Sequence, residues 1–251
     1  MKLTKEFAEI LGMFAADGCI QDKYICMWGN LFADKEYYDK VVCPLFSQVF
    51  NIQVKAHEKK SNSVYGFYVC NHEIINIFRN MGFTKNKTYD VNIPQAILES
   101  SDNKIFAAFI RGYADCDGSI NFLRRKGKYK LFKTQYNTYP RVQIISVSHQ
   151  VIHNISNLLN KLKIKHTFFK RKPNNINEKE ALEIAIRGNS RVKSFMDNVG
   201  FNNPAQISKY LIWQKFGMCP PKTTHEQRGL ILQNKLNPFT IKSNRQVNGN
   251  I

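Results

Sequence analysis

The sequence predicts an α+β fold made of two pseudo-symmetric halves, each with the element order αββαββα. The first observation is an internal repeat: ILGMFAADG at residues 10–18 matches IRGYADCDG at residues 110–118 in its Ile, Gly, Asp and Gly. A second match follows in the same order, between NHEIINIFRNMGF at 71–83 and NSRVKSFMDNVGF at 189–201. Between these segments, runs such as YICMW, VYGFYV, RVQIISV and ALEIAI alternate as half-buried strands do. A duplicated unit of helices and paired strands is an α+β arrangement.

Each half is expected to begin with a helix that ends at the repeated Asp-Gly pair. These helices are predicted over residues 4–17 and 102–117. Gly18 and Gly118 are expected to end them, because glycine readily takes the left-handed conformation found after many helices. In both halves, the strands would then follow directly.

A stripe of small residues runs along each of these helices, formed by Ala8 and Gly12 in one and by Ala108 and Gly112 in the other. Glycine inside a helix costs about 1 kcal/mol relative to alanine, which suggests a packing reason. Small residues four apart allow two helix backbones to approach closely. The two helices are therefore predicted to pack side by side, in parallel, and to end together.

Asp17 and Asp117 would then lie close together at the C-terminal ends of two helix dipoles. Two carboxylates in that position raise each other's pKa or require a cation. A hard divalent ion with oxygen ligands fits this need, so we predict Mg²⁺. Such ions can activate water and hold a phosphodiester for hydrolysis.

The charge distribution indicates a nucleic-acid partner. Lys and Arg outnumber Asp and Glu by 37 to 19, which gives a net charge of +18 and a pI near 9.7. Residues 118–177 contain no Asp or Glu, although many Lys and Arg fall there. The segment RRKGKYKLFKTQYNTY at 124–139 is longer than its counterpart in the first half, and its basic and aromatic content favours a hairpin laid against a duplex. An ordinary loop is the alternative.

Three regions are expected: a first half over 1–93, a second half over 94–203, and a C-terminal region over 204–251. The last is predicted to hold a helix at 204–216 and an irregular tail from Cys219 onward. The six cysteines form no CxxC pair and are interpreted as reduced thiols of an intracellular protein. No apolar run reaches the roughly 18 residues of a membrane span, which argues against a lipid partner.

ILGMFAADG and IRGYADCDG resemble the two signature motifs of the LAGLIDADG homing endonucleases, in their single-chain, two-motif form. The resemblance covers roughly residues 4–203. It implies a DNA-binding saddle of two four-stranded antiparallel sheets, and a monomeric, intron-encoded enzyme that cuts double-stranded DNA at a long site. It also implies an enzyme found wherever the genome of the host intron resides, in the cytoplasm or an organelle.

In the family, the last acidic residue of each motif binds the catalytic ions. By resemblance, Asp17 and Asp117 would share two or three Mg²⁺ ions, with the backbone carbonyls of Ala16 and Cys116 completing the coordination. Motif one departs from the pattern in having Ala15 where motif two has Asp115. This position is not a metal ligand, so only a different pattern of hydrogen bonds at the helix end is expected.

The resemblance also assigns roles outside the motifs. Residues at the edge of the catalytic site, which order water or steady the transition state, would be Arg187, Asn30 and Ser146. Strand residues expected to read bases are Gln21, Lys23, Asn121, Arg125, Arg141 and Gln143. Expected phosphate contacts are Lys55, Lys59, Lys60, Lys170, Arg171 and Lys172, and the basic hairpin adds Arg124, Lys126, Lys128, Lys130 and Lys133.

Two alternatives stay open on the same fold. Some members of the family are RNA maturases that bind intron RNA and assist splicing. A DNA-binding regulator is the other alternative, although it would not need both Asp17 and Asp117.

Overall fold

The computed structural model describes residues 1–59, 63–85, 91–124, 136–173 and 179–241. Arg125, Lys126, Lys128, Lys130, Lys133 and Lys60 lie outside the described residues. The first half consists of α1 (Lys5–Asp17), β1 (Gly18–Ile20), β2 (Ile25–Asn30), α2 (Lys35–Tyr37), a π-helical turn (Tyr38–Val42), α3 (Cys43–Phe50), β3 (His57–Lys59), β4 (Val64–Val69) and α4 (His72–Asn80).

After a short helix α5 (Gln95–Leu98), the second half repeats this order. It consists of α6 (Asn103–Asp117), β5 (Gly118–Leu123), β6 (Tyr139–Ser146), α7 (His149–Lys161), β7 (Thr167–Arg171), β8 (Ala181–Arg187) and α8 (Asn189–Asn198). The chain continues through α9 (Pro204–Phe216), α10 (His225–Leu232) and a 3-10 turn (Pro238–Thr240). The predicted order αββαββα is confirmed in both halves.

The strands form two separate four-stranded antiparallel sheets with matching topology. The first has the order β1-β2-β4-β3 and the second the order β5-β6-β8-β7. In each sheet one side packs on the core and the other faces away from it, as the alternation of Val142 and Ile144, both fully buried, with Arg141 and Gln143 shows in β6. The predicted fold class is therefore confirmed.

Helices α1 and α6 pack directly against each other through their glycines. A Cβ atom added to Gly12 would lie 2.1 Å from the carbonyl oxygen of Phe109, and one added to Gly112 would lie 2.1 Å from the carbonyl oxygen of Glu9. No side chain fits at these distances, so glycine is required at both positions. Thr4 and Asp102 cap the two helices with their side chains.

The prediction that both helices end at a glycine in the left-handed conformation is wrong. Gly18 has φ −74° and Gly118 has φ −110°, so both are extended and begin strands β1 and β5. Glycine is needed there for space: an added Cβ would lie 2.2 Å from the ring of Phe14 in one case and 2.5 Å from the carbonyl oxygen of Ala114 in the other. Helix and strand thus join without a connecting loop.

The C-terminal region is more regular than predicted. Helix α9 spans residues 204–216 as expected, but the irregular segment predicted from Cys219 onward contains α10. A capping box of Thr224 and Gln227 starts this helix, and Ile231 is fully buried. Two turns of helix are too short to show apolar periodicity in a sequence. Among the described residues, no helix is long and apolar enough to span a membrane.

Candidate metal and nucleic-acid site

Asp17 and Asp117 are the last residues of α1 and α6. The charges of both carboxylates act on two side chains of the second motif, Cys116 and Tyr113. Burial raises the pKa of the Cys116 thiol well above its usual value, and the charges of Asp17 and Asp117 raise it further. The pKa of Tyr113 is likewise raised by burial first and then by Asp117, with a further contribution from Asp17. The helix pair therefore places both carboxylates within electrostatic range of the same two side chains.

On the Asp117 side, the hydroxyl of Tyr113 contacts both Asp117 and Ser146 through hydrogen bonds. Ser146 ends strand β6, and its Oγ accepts a hydrogen bond from the backbone N–H of Ser148 at 3.2 Å. Asp117, Tyr113 and Ser146 all line a cleft of about 490 Å³, whose opposite wall includes Cys19 of the first half. Ser146 thus lies where the sequence placed it, beside the site. Tyr113 was missed, although it stands inside the second motif.

On the Asp17 side, the corresponding aromatic group is Tyr38, in the π-helical turn. Its pKa is raised by burial first and then by the charge of Asp17. Its hydroxyl oxygen is buried and has no hydrogen-bond partner among the described residues. Sequence reasoning missed Tyr38 because no motif surrounds it.

The two motifs differ at the residue two positions before the aspartate. Asp115 is 3% exposed, and its carboxylate accepts hydrogen bonds from the backbone N–H groups of Asn202 and Asn203 at 2.9 to 3.1 Å. The Asn203 side chain in turn donates to the Asp115 carbonyl oxygen and caps α9. Burial raises the pKa of Asp115 to about 7. Motif one has Ala15 here, so only the second motif anchors α9.

A buried ion pair connects the two motif helices to the segment after α8. Arg111 of α6 donates to Glu9 of α1, at 2.6 Å from Nη2, and to the carbonyl oxygen of Val199 at 3.1 Å. Glu9 is 4% exposed and also accepts a hydrogen bond from the Asn202 side chain. The network fixes the register of α1 against α6, and so the relative positions of the carboxylates at their ends.

The donor set at the helix ends fits a hard divalent cation. The two aspartates supply carboxylate oxygens, and the last carbonyl groups of a helix have no partner within the helix, which leaves those of Ala16 and Cys116 available in principle. Within the described residues, no cluster of three or more His, Cys, Asp or Glu side chains could hold a metal by itself. Water and a phosphate would therefore have to complete the coordination.

The structure does not support two of the predicted residues at the edge of the site. The Asn30 side-chain oxygen accepts hydrogen bonds from the N–H groups of Phe32 and Ala33, each at 2.9 Å, so it shapes the turn after β2. Arg187 lies three residues along β8 from Ile184, which shares a ladder level with Gly118. That offset is about 10 Å. Sequence alignment of the halves places a residue along a strand only coarsely.

The outer face of the second sheet, on the side away from the core, carries four polar side chains that each have a buried atom without a hydrogen-bond partner among the described residues. Arg141 Nε, Gln143 Oε1, Glu183 Oε1 and Arg187 Nε are buried and have no hydrogen-bond partner among the described residues. Arg141 lies 3.8 Å from Glu183, and the Arg187 guanidinium stacks 4.2 Å from the centre of the Phe169 ring. Unpaired polar groups of this kind require an explanation, and a polar ligand supplies one. Arg141 and Gln143 were predicted here.

The outer face of the first sheet is aromatic instead. Tyr24 and Trp28 flank Tyr68 and His57, with ring centres 5.2 to 6.4 Å apart. Tyr68 is 57% exposed, and Lys59 lies 5.9 Å above the Trp28 ring. Among these residues only Lys59 was predicted, because aromatic residues in alternating strands usually indicate core.

The remaining predicted nucleic-acid contacts are mostly at the surface. Those that are exposed are Lys23, Lys55, Arg124, Arg171 and Lys172. Gln21 and Asn121 are half-buried and bond locally, to Cys19 Sγ at 3.3 Å and Ser119 Oγ at 2.8 Å. Lys170 is also exposed, but it pairs with Leu182 in the sheet register and forms an ion pair with Glu180 at 3.3 Å.

Comparisons with known proteins agree with this architecture. Residues 105–200 match the family model of the LAGLIDADG-like domain. Over 83% of its length the chain is 24% identical to the replication factor C small subunit of Methanocaldococcus jannaschii, and over 76% it is 26% identical to the probable translation initiation factor IF-2 of the same organism. The chain spans only 10% and 14% of the lengths of these relatives. Their different names therefore assign no activity to the matched segment.

Solved structures match over most of the chain. The I-LtrWI LAGLIDADG homing endonuclease bound to target DNA has a TM-score of 0.55 at 14% identity, covering 96% of this chain and all of that one. Mesophilic variants of the homing endonuclease I-DmoI have a TM-score of 0.52 at 14% identity, covering 78% of this chain and 95% of theirs. Residues 105–200 thus match a LAGLIDADG-like domain, and the chain has the fold of single-chain LAGLIDADG homing endonucleases. The predicted resemblance is confirmed.

Proposed function

We propose that this chain is a site-specific endonuclease that hydrolyses phosphodiester bonds of double-stranded DNA with divalent metal ions. The observation that carries the proposal is the pair of motif helices. They touch through Gly12 and Gly112. They end at Asp17 and Asp117, whose charges both raise the pKa values of Cys116 and Tyr113. A fold that needed only to bind DNA would have no reason to concentrate two carboxylates where a polyanion must approach.

In this proposal, Asp17 and Asp117 would hold the ions, together with the carbonyl oxygens of Ala16 and Cys116. Divalent ions at this position would supply an activated water and neutralise charge on the phosphate. Mg²⁺ is the ion we propose, since all the protein donors are oxygen atoms. The I-DmoI structures that match this fold were determined with DNA and Ca or Mn, which supports divalent-metal use on this architecture.

We propose that the protein acts as a monomer and that the duplex lies across the outer faces of its two sheets. The support comes from the unpaired polar atoms of Arg141, Gln143 and Arg187 on the second sheet and from the basic surface residues around them. Side chains of this type read base edges in the major groove, whereas exposed lysines contact phosphates without reading sequence. A homing role, with a target at the insertion site of a mobile intron, follows from the resemblance in the motifs.

Cleavage of a randomised duplex library in the presence of Mg²⁺ tests the proposal. The wild type should recover one long site, and Asp17→Asn and Asp117→Asn should each lose cleavage while they retain DNA binding. Asp197→Asn is the matched control, because Asp197 is an exposed aspartate of α8 paired with Lys193 at 2.8 Å. If the wild type binds duplex DNA but never cuts it with Mg²⁺ or Mn²⁺, the endonuclease proposal fails.

The aromatic face of the first sheet favours a second candidate function, RNA binding by a maturase. Sequence-specific recognition of RNA usually stacks unpaired bases on aromatic side chains. Tyr24, Trp28 and Tyr68 could provide such a surface, since Tyr24 and Tyr68 are 39% and 57% exposed. Binding to a structured intron RNA that exceeds binding to duplex DNA, and that falls in Tyr68→Ala, would support it. Equal binding by wild type and Tyr68→Ala would remove this candidate.

A further inference from the structure

A second cavity, of about 790 Å³, lies where both halves meet the C-terminal region. Its walls come from the turn after β2, from strand β5, from helix α9 and from the start of α10. Phe32, which is 84% exposed, stands on one side, and Lys209 and Arg228 stand on the other. Neither cation belongs to the metal site or to the outer sheet faces.

Lys209 and Arg228 are cations in a shielded position, with no acidic partner in the part of the chain that the structure describes. Arg228 is 5% exposed, and its guanidinium donates to Ser208 Oγ at 2.8 Å and to the carbonyl oxygen of Thr223. Lys209 is half-buried, and its Nζ donates to Gln206 Oε1 at 3.2 Å. No carboxylate of the described residues influences the pKa of either group. All of their hydrogen-bond acceptors here are neutral.

The two cations also disfavour each other. Burial lowers the pKa of Lys209, and the charge of Arg228 lowers it further. Burial likewise lowers the pKa of Arg228. Cys219 lies near both, but burial raises the pKa of its thiol to about 11, so it stays neutral near pH 7 and gives no compensation. Holding two like charges in partly and fully buried positions without a counter-charge is unfavourable, and an anion near them would offset the cost.

Three other titratable groups of the cavity are engaged elsewhere, and a further one, Lys222, is exposed. The Asp34 carboxylate accepts a hydrogen bond from the backbone N–H of Asn30 at 2.8 Å. His225 lies 2.7 Å from Glu36. Arg141 lies 3.8 Å from Glu183. The shielded cations of the cavity are therefore Lys209 and Arg228, whereas Lys222 is exposed.

We propose that this cavity binds a phosphate group, with Lys209 and Arg228 as its cationic ligands. Phosphate offers several oxygen atoms to charged N–H donors, and such hydrogen bonds are among the strongest in proteins. The cavity is large enough for the phosphate to be part of a larger molecule. The inference uses the proposed function only to name one of two sources of the phosphate.

The position of the cavity makes a nucleic-acid backbone one of these sources. Asn121 and Arg141, which also line it, project from the outer face of the second sheet, opposite the buried Ile120 and Val142. A duplex lying on that face could place one backbone phosphate at Lys209 and Arg228. The other source is a free phosphorylated compound with the same chemistry.

Calorimetric titration with inorganic phosphate, at fixed ionic strength and without nucleic acid, tests the site itself. The wild type should bind, and Lys209→Gln should bind roughly tenfold more weakly or not at all, as expected for the loss of a charge-assisted hydrogen bond. Lys209→Arg should retain binding. Lys215→Gln is the matched control, since Lys215 is on the same helix and donates to the carbonyl oxygen of Leu232 at 3.0 Å. Thermal melts without phosphate establish that each variant folds.

The salt dependence of duplex binding, measured without divalent ions, distinguishes the two sources. If a backbone phosphate occupies the site, Lys209→Gln should reduce the slope of the logarithm of the DNA-binding constant against the logarithm of salt concentration by about 0.9. If Lys209→Gln loses phosphate binding but leaves this slope unchanged, the natural ligand is a free phosphorylated compound. Neither measurement depends on cleavage, so both can be interpreted even if the protein does not cut DNA. The proposal is overturned if folded wild type does not bind phosphate and Lys209→Gln leaves the slope unchanged. It is also overturned if Lys215→Gln loses phosphate binding as much as Lys209→Gln does.

Discussion

The two sheets have the same strand order, but their outer faces have different chemistry. On the first sheet, Trp28 and Tyr68 pack edge-on against a shared histidine ring, and the face is largely aromatic. On the second, Arg141 and Arg187 face each other across neighbouring strands beside the buried Glu183, and the face is polar. The inner sides of both sheets are apolar and join one continuous core.

This difference reflects the alternation of side chains along a strand. Substitutions on the outer face leave the inner face untouched, so a duplicated sheet can diverge on one side while its core is kept. The contact between α1 and α6 has no such freedom, because each glycine lies against the backbone of the other helix. The symmetric parts of the molecule are those where the two halves touch, and the asymmetric parts are those free to meet a ligand.

The largest effect on stability is expected at the glycine contact between α1 and α6, where close packing requires the symmetry. In Gly112→Ala the new Cβ would lie 2.1 Å from the carbonyl oxygen of Glu9, which forces the motif helices apart. The free energy of unfolding should fall by about 3 kcal/mol or more, and activity should be lost. Chemical denaturation followed by circular dichroism measures the change.

Gly229→Ala is the control for helix propensity. Gly229 lies inside α10 and has nothing within 4 Å of an added Cβ. The alanine variant should be more stable than wild type by about 0.5 to 1 kcal/mol. If Gly112→Ala were as stable as Gly229→Ala, the close approach of the two helices would be refuted.

The second effect in size concerns the position where the motifs differ, Asp115 and Ala15. Asp115→Ala leaves the N–H groups of Asn202 and Asn203 without their acceptor, which should cost about 2 kcal/mol. This loss should shrink as the pH rises. The folded pKa of Asp115 is about 7, above its usual 3.8, so between these values the folded wild type binds more protons and loses stability with increasing pH.

Denaturation of wild type and Asp115→Ala at pH 5 and pH 8 measures this dependence. A penalty that grew with pH would contradict the raised pKa of Asp115. Ala15→Asp is the reciprocal change: it places a carboxylate at the position that is 1% exposed in motif one, where the hydrogen bonds from the start of α9 are not made. It should destabilise the protein at both pH values.

Most of what could be predicted from the sequence came from the repeated motif at residues 10–18 and 110–118. The small-residue stripe predicted that α1 and α6 pack in parallel, and the repeat predicted two sheets, because both depend on local spacing. Gly18 and Gly118 show the limit of such rules. The glycine pattern after a helix commonly means a left-handed cap, whereas here the ring of Phe14 and the backbone of Ala114 exclude a side chain.

Several residues of the metal site and of the second cavity could not be predicted, because long-range contacts bring them together. Tyr38 reaches Asp17 from the π-helical turn, and Lys209 and Arg228 come together only because α9 and α10 pack on each other. The role of Arg187 stays a prediction, since a match between the halves does not fix its distance from the metal site. Aromatic residues on an outer face follow the same alternation as core residues, so periodicity alone does not separate them.

The third prediction compares the two outer faces as DNA-reading surfaces. Arg141→Gln should relax discrimination by about 1 to 2 kcal/mol at base pairs in one half of the target and leave the other half unchanged. Trp28→Ala should act on the opposite half and leave the salt slope of binding unchanged, since it removes no charge. Cleavage of target libraries varied in one half-site at a time measures both. Effects spread over both half-sites would show that the faces do not read separate halves.

The smallest effects concern the two tyrosines next to the carboxylates, and they should have opposite signs. Tyr113→Phe removes the hydroxyl that contacts Asp117 and Ser146, so stability should fall by about 1 kcal/mol. Tyr38→Phe removes a buried hydroxyl that has no partner within the described residues, so stability should stay level or rise by up to about 1 kcal/mol. Both rings remain in place, which makes the hydroxyl group the only difference between each variant and the wild type. Parallel denaturation of the two variants measures it, and a loss in Tyr38→Phe equal to that in Tyr113→Phe would mean that the Asp17 side also has a hydrogen-bonded tyrosine. The two carboxylates would then have equivalent neighbours, and the asymmetry between the halves would be confined to the Asp115 position and the outer faces of the sheets.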